Sequence, residues 1–390
     1  MIRNKVKIKS AVVGYIILFI LVPALTAQHT FVDISTGAGQ ADYLLGSRLV
    51  PQASFMSSAG TLSHELSDLT RAYLDISHFH IYPDEDFSSS TAELGLQFRY
   101  LEIQDNQLFG GIFMYLNDYR ETYAYYNSTG LGAYVMWKHY FKPNLLTSAG
   151  YDITSVRFSE VEEASNAEHI LYLRYNQSFR SKTSLELKAE MSYQDFWAHS
   201  IYVPMGRRYY SISTEEIQTN KLLSPSLRIS QSLGQYLGIT LRTTAQSLLN
   251  NRVDSLQLQD GLNNPFIDRF RWEGSETSLN LSVKPNWENT IQLSYDYSIR
   301  DYVTVPVYEF DFSSMDYVLD NEEKVSLGFD RSDITQSVGL EWKRSMSFFN
   351  FNFLSGIDFS LAATYRQSNS NDPLYDFEGM QYQFNLILNN

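Results

Sequence analysis

The chain has 390 residues, no cysteine and a formal net charge of -14, with 15% aromatic residues and acidic residues well in excess of basic ones. The missing cysteines exclude a disulfide framework, a thiolate metal site and a lipid-modified cysteine, and a polyanion of this size is a poor ligand for nucleic acid. Glycine, proline and charge are spread evenly, with no linker or low-complexity stretch to divide the chain into domains.

Arg3, Lys5, Lys7 and Lys9 precede an apolar run from Ala11 to Val22, and Leu25-Thr26-Ala27 stands before Gln28. A basic, then apolar, then small-residue order is that of a cleaved signal peptide over 1–27, the apolar run being too short for a membrane helix. The leader carries four basic residues and no acidic one, so the mature chain stands four charges lower, near -18. Residues 28–390 then form one domain exported from the cytoplasm. Within it 28–68 is the least periodic part: Thr30 to Gln40 and Gln52 to His64 are two strand candidates, or else the segment is a periplasmic piece or a plug.

From Leu69 onward the chain alternates apolar and polar residues in strand after strand. In Glu93 to Leu101 one face carries Leu94, Leu96, Phe98 and Tyr100. In Leu131 to Lys138 it carries Leu131, Ala133, Val135 and Trp137. The period is plainest at Thr290 to Arg300, where Ile291, Leu293, Tyr295, Tyr297 and Ile299 oppose Gln292, Ser294, Asp296, Ser298 and Arg300. Ile334, Val338, Leu340 and Trp342 continue it, as do Ser184 to Gln194, Leu237 to Gln246 and Gly379 to Asn389. A soluble core has no use for Asp296 and Arg300 in mid-strand, whereas a barrel in lipid puts the apolar face outside and the polar face inside. A soluble exported β-protein with an apolar inner face has the same period and stands as the competing architecture.

Connection lengths separate the two. Tight turns at Gln104 to Gln107, Phe141 to Asn144, Phe179 to Thr183, Leu233 to Gln235, Pro285 to Asn289 and Arg344 to Asn350 alternate with long acidic segments. The long ones are Tyr82 to Ser90, Asp118 to Asn127, Ser159 to Ala167, Ala198 to Thr219, Leu249 to Trp272, Tyr302 to Glu323 and Gln367 to Phe377. Short periplasmic turns and long external loops produce this rhythm. The fold class expected is all-β, an antiparallel up-and-down transmembrane barrel of about 16 strands, with 14 as the alternative. Tyr100, Trp137 and Trp342 fall beside short turns and Tyr193, Tyr297 and Tyr365 toward long loops, the two levels of an interfacial aromatic girdle.

Over nearly all its mature length the chain thus resembles bacterial outer-membrane β-barrels of the porin-like kind, without matching a named family. The last strand adds to this. Gly379, Tyr382 and Phe384 have the spacing of the C-terminal signal read by the barrel-assembly machinery, although here it continues to Asn389-Asn390 and not to a final aromatic. The resemblance implies residence in the outer membrane, contact with its lipid and lipopolysaccharide, and that machinery as an assembly partner.

The alternation sends Arg99, Lys138, Arg174, Lys188, Arg228, Arg242, Lys284, Arg300, Lys343 and Arg366 inward, against Glu93, Glu186, Glu190, Asp296, Glu341 and Asp358. The expected function is a channel for passive passage of small polar or charged solutes. Its lumen-lining candidates are Arg99, Arg174, Arg242, Arg300, Arg366, Glu93 and Asp296, and the loops Leu249 to Trp272 and Tyr302 to Glu323 are the candidates for constriction. The alternative is a non-transporting scaffold whose acidic, tyrosine-rich loops, such as the one with Tyr119, Tyr123, Tyr125 and Tyr126, dock a surface or secretion partner.

Nothing in the sequence calls for catalysis, a metal or a cofactor. His78 and His80 share a strand face with no third ligand, and read as lumen-facing or rim residues. His199-Ser200 lacks an orienting partner, so an outer-membrane hydrolase is the weakest reading. The acidic stretch Glu309 to Glu323 lacks the turn glycine of a calcium loop and reads as solvated. Asn127-Ser128-Thr129 spells a glycosylation sequon and reads as a turn.

Overall fold

A computed structural model describes residues 30–41, 53–82, 88–103, 105–160, 165–197, 200–205, 208–213, 219–250, 268–311, 313, 316–320, 323–347 and 356–389. The leader, its cleavage site and His199 lie outside the described residues. In chain order the strands are β1 (Thr30–Ala41), β2 (Ala53–Ser67), β3 (Thr70–Tyr82), β4 (Ser89–Ile103), β5 (Asn106–Tyr119), β6 (Ser128–Lys142), β7 (Leu145–Phe158), β8 (Asn166–Ser178), β9 (Thr183–Phe196), β10 (Ser200–Met205) and β11 (Arg208–Ser213). They continue as β12 (Thr219–Leu233), β13 (Leu237–Leu248), β14 (Trp272–Val283), β15 (Asn289–Tyr308), β16 (Phe310–Asp311), β17 (Asp316–Tyr317), β18 (Leu319–Asp320), β19 (Glu323–Lys324), β20 (Ser326–Ser347), β21 (Gly356–Ser370) and β22 (Phe377–Asn389).

Sixteen of these close into one antiparallel barrel in the order β1 to β9, β12 to β15, β20 to β22, while β10-β11, β16-β17 and β18-β19 are small hairpins within long connections. The seam joins β1 to β22 antiparallel, from Asp33 opposite Asn389 to Ala41 opposite Gln381. Closure leaves no free sheet edge, which is what a sheet in hydrocarbon requires. No helix among the described residues is long and apolar enough to cross a membrane.

The apolar phase faces out. Leu94, Leu131, Val135, Ile334, Val338 and Leu340 are all exposed on the barrel wall, Leu131 at 66%. In a soluble protein such a surface would be a severe aggregation hazard; against acyl chains it is the stabilising face. At the short-turn end Trp137 donates its indole N–H to Asn106 at 3.2 Å, and Trp342 donates to Asn289 at 3.1 Å. Each ring thus keeps an apolar body in lipid and a satisfied polar edge, the habit of girdle tryptophans.

One boundary differs from the sequence reading, and of the two placements open to His78 and His80, lumen or rim, one is settled. The segment Tyr302 to Glu323 is not all loop: β15 runs to Tyr308 and β20 starts at Ser326, so this hairpin is 20 and 22 residues long where most barrel strands have 12 to 15. The extra ladder passes an irregularity between Asp301 and Pro306, since a proline lacks the N–H that regular pairing uses. His78 and His80 occupy the outward phase of β3 near the long-loop rim, not the lumen. They hydrogen-bond to Ser90 and Ser88, each at 2.9 Å.

Inside, large rings lie over glycines. Tyr73 stands opposite Gly95, Phe113 opposite Gly132, Tyr115 opposite Gly130, Tyr134 opposite Gly111 and Tyr172 opposite Gly150. At each of these glycines an added Cβ would enter the partner ring. The missing side chain is therefore the seat of the neighbour's ring, a cross-strand pairing that covers the glycine backbone and fixes the ring flat on the wall. Gly132→Val is expected to cost about 1 to 3 kcal/mol by forcing the Phe113 ring off its seat. Urea unfolding of the refolded barrel measures this, and adding Phe113→Ala should return part of the loss.

Candidate functional site

The lumen wall is the inner phase of sixteen strands, and in such a ring each strand faces the one eight places on. One side, β3 to β8, carries the five seated rings together with Asp75, Glu93 and Asp152, and Tyr73 donates to Glu93 at 2.6 Å. The facing side, β13 to β22, carries Arg242, Arg300, Arg331 and Arg366, with Arg228 on the adjoining β12. Aromatic and acidic residues thus confront an arginine-bearing wall across the interior.

The seven lumen candidates fall into distinct states. Arg242 and Arg366 are exposed to the interior, and neither has a carboxylate within ion-pair distance among the described residues; Arg366 lies over the Phe377 ring at 5.8 Å. Arg300 is engaged, donating to Glu276 at 2.7 and 3.2 Å with its guanidinium 4.7 Å from the Trp272 ring centre. Arg174 is half-buried beside the Tyr172 ring, 5.9 Å away. Arg99 sits toward the short-turn end of β4, about level with Arg174 on β8 and Arg242 on β13. Glu93 is held by Tyr73, and Asp296 accepts from Ser337 at 3.1 Å.

Two features escaped the sequence reading. The first is an insertion before β14. The short turn Asp268–Phe270 folds into the mouth: Phe270 is fully buried against Leu222 and Leu248, with Val303 packed beside it. Its neighbour Arg269 reaches Glu168 on β8 at 3.1 Å and Glu190 on β9 at 3.2 Å, and also donates to Ser192. Gln246 anchors the turn by donating to the carbonyls of Arg269 and Trp272. The loop Leu249 to Trp272, expected to constrict, thus contributes a cation pinned between two lumen carboxylates. No sequence pattern marks Arg269 among the loop residues, because its partners lie more than 75 positions away.

The second is a buried ion pair at the rim. Arg331 and Asp333 are 6% and 5% exposed, and the guanidinium donates to Asp333 through two nitrogens. The cation is sandwiched between Tyr375, 3.3 Å from its ring centre, and Tyr302 at 4.2 Å. Ser370 donates to Asp333 at 2.6 Å, and Asp372 accepts from the Leu374 N–H at 3.0 Å to shape the turn that carries Tyr375. The last external connection is thereby fastened to β15 and β20.

Elsewhere at the rim, the tyrosine-rich connection is packed on itself. Tyr123 and Tyr126 are 4% and 3% exposed, with rings stacked at 6.3 Å and Tyr119 edge-on to Tyr126 at 5.9 Å. Aromatic burial outcompetes exposure in this turn. On β22 Tyr382 and Phe384 face lipid, 53% and 43% exposed, while Gly379 lies opposite Arg366 on the inner phase. No cluster of three or more metal-ligating His, Cys, Asp or Glu side chains occurs among the described residues.

No protein-family model and no curated protein sequence matches the chain. Among solved structures, OccAB1 of Acinetobacter baumannii is similar over 93% of this chain and 96% of its own, with a TM-score of 0.52 and 12% identity. CdiB from Acinetobacter baumannii is similar over 93% of this chain and 60% of its own, with a TM-score of 0.51 and 12% identity. The outer membrane protein OprD from Pseudomonas aeruginosa covers 93% of this chain and 94% of its own at a TM-score of 0.45 and 12% identity. At this identity the likeness is one of fold. What the chain shares with them is a closed antiparallel β-barrel, here of sixteen strands.

Proposed function

We propose that the protein is an outer-membrane channel for small polar solutes, with a preference for anions. The observation that carries this reading is the state of the charges at the mouth and on β12, β13 and β21. The mouth carboxylates Glu168, Glu190, Glu276 and Asp333 are each occupied by a cation, while Arg228, Arg242 and Arg366 stand open to the interior with no ion-pair partner among the described residues. Free positive charge on a water-lined wall lowers the energy of a passing anion. A sixteen-strand ring is also wide enough to hold water once side chains have filled its rim.

Reconstituted into a planar bilayer, the protein should give stepwise currents whose reversal potential under a salt gradient reports anion preference. In the double variant Arg242→Gln/Arg366→Gln that preference should fall toward neutrality while the steps persist. Absence of any conductance would remove the channel reading.

A further inference from the structure

On the arginine-bearing wall, toward the short turns, lies a cavity of about 480 Å³ set against β9, β12, β13, β14 and β15. Two cations, Arg228 and Lys182, border it, and Ser184, Ser230, Thr240, Asn280 and Gln292 line it with hydroxyl and amide groups beside the apolar Ile239. No carboxylate lines it among the described residues. Several of these groups are already ordered into pairs, Thr240 donating to Ser230 at 3.0 Å and Gln292 donating to Asn280 at 2.9 Å. Each such pair leaves lone pairs and N–H groups free for a ligand.

The charge pattern beside the cavity is unusual. Arg228 on β12 and Arg242 on β13 are direct register partners on the same inward face. Like charges directly opposite each other on a sheet destabilise the pair. One carboxylate, Glu186, is the register neighbour of Arg228 on β9, and no ion pair forms between them. Glu276, the diagonal neighbour of Arg242 on β14, is taken up by Arg300, so neither guanidinium has an ion-pair partner among the described residues. An oxyanion lodged between them would remove the repulsion and accept planar, charge-assisted hydrogen bonds from both.

We propose that this cavity is a solute subsite for a small polyhydroxylated anion, a sugar acid or a sugar phosphate. The anionic group sits at the Arg228 edge of the cavity, on the side of its register partner Arg242, which stands just outside the lining, and the hydroxylated body lies on the Ser, Thr, Asn and Gln wall. The proposal rests on the channel reading for its role, but the site is defined by its own residues and binds whether or not the pore conducts.

The experiment uses the full-length protein in two formats. In planar bilayers, gluconate and glucose 6-phosphate are each added to the wild-type channel, with glucose, acetate and inorganic phosphate as controls. Isothermal titration calorimetry of the same ligands against the detergent-solubilised protein supplies a readout that needs no conduction. Gluconate, glucose 6-phosphate or both should interrupt the current and bind, and whichever binds identifies carboxylate or phosphate as the recognised group. Glucose should not bind, and acetate and phosphate should bind more weakly than their hydroxylated counterparts. Arg228→Gln should weaken binding at least about tenfold, the loss of one charge-assisted hydrogen bond to an anion. Thr240→Val should weaken the hydroxylated anions and leave inorganic phosphate unaltered. Current without interruption and no calorimetric binding would overturn the subsite and leave the channel reading standing. Binding without any current would do the reverse. Binding undiminished in Arg228→Gln would place the ligand elsewhere and overturn the proposal.

Discussion

Asp333→Ala is expected to destabilise the barrel by about 3 to 5 kcal/mol, the cost of stranding a buried cation without its counter-ion. Arg331 is 6% exposed and lies between the Tyr302 and Tyr375 rings, so water cannot replace the lost carboxylate without prising the rings apart. The ring faces attract the cation, yet such contacts give only about 2 kcal/mol even when desolvated. Asp333 also accepts from Ser370, which would lose its partner as well. Urea unfolding in lipid vesicles, followed by tryptophan fluorescence, measures the change. Replacing both charges by apolar residues of similar volume, Arg331→Met with Asp333→Leu, should restore most of the stability. An unchanged midpoint for Asp333→Ala would mean that the guanidinium is hydrated after all.

Arg269→Ser is expected to raise the single-channel conductance and move selectivity toward cations. Two consequences follow from one substitution: the turn Asp268–Phe270 loses its tether to β8 and β9, and Glu168 and Glu190 lose the cation that holds them. Lys188 also pairs with Glu190, so Glu168 carries most of the liberated negative charge. The complementary variant Glu168→Gln/Glu190→Gln cuts the same tether but removes negative charge, so its conductance should rise while selectivity moves toward anions. Opposite shifts in reversal potential with the same direction of conductance would tie both effects to this contact. If neither variant alters the current, the inserted turn does not limit flow.

The strands were legible because lipid and water impose a strict period of two. Every outward residue named in Glu93 to Leu101, Leu131 to Lys138 and Ile334 to Lys343 follows from that alternation. Turn chemistry made the order legible too, since short connections mostly alternate with longer ones; the exception is 348–355 between β20 and β21, eight residues where the connection before β22 has six. Register was readable to the same degree where a turn is tight. The three-residue connection after Leu233 sets Leu233 opposite Leu237, and counting back from it puts Arg228 opposite Arg242.

What the sequence withheld depends on contacts between distant segments. Arg331 and Tyr375 meet because two different connections converge at the rim, and no local pattern encodes that meeting. Arg300 reads as a free lumen cation from its phase alone, and only the fold brings Glu276 and Trp272 to it. The seated rings had a signal that goes unread without registers: a glycine on the inner phase of one strand opposite a tyrosine or phenylalanine on the next. Strand ends past Asp301 were misplaced because the ladder there continues beyond the apolar band, where lipid no longer enforces alternation.

The join between the first and last strands has a consequence for biogenesis. Its two halves are the first and last strands of the barrel in chain order, so the circumference cannot be completed until the thirteen-residue β22 has been delivered. Until then both margins of the curved sheet carry unsatisfied amide and carbonyl groups, a condition hydrocarbon penalises heavily. Insertion must therefore keep those margins sheltered until the nine residue pairs between β1 and β22 have formed.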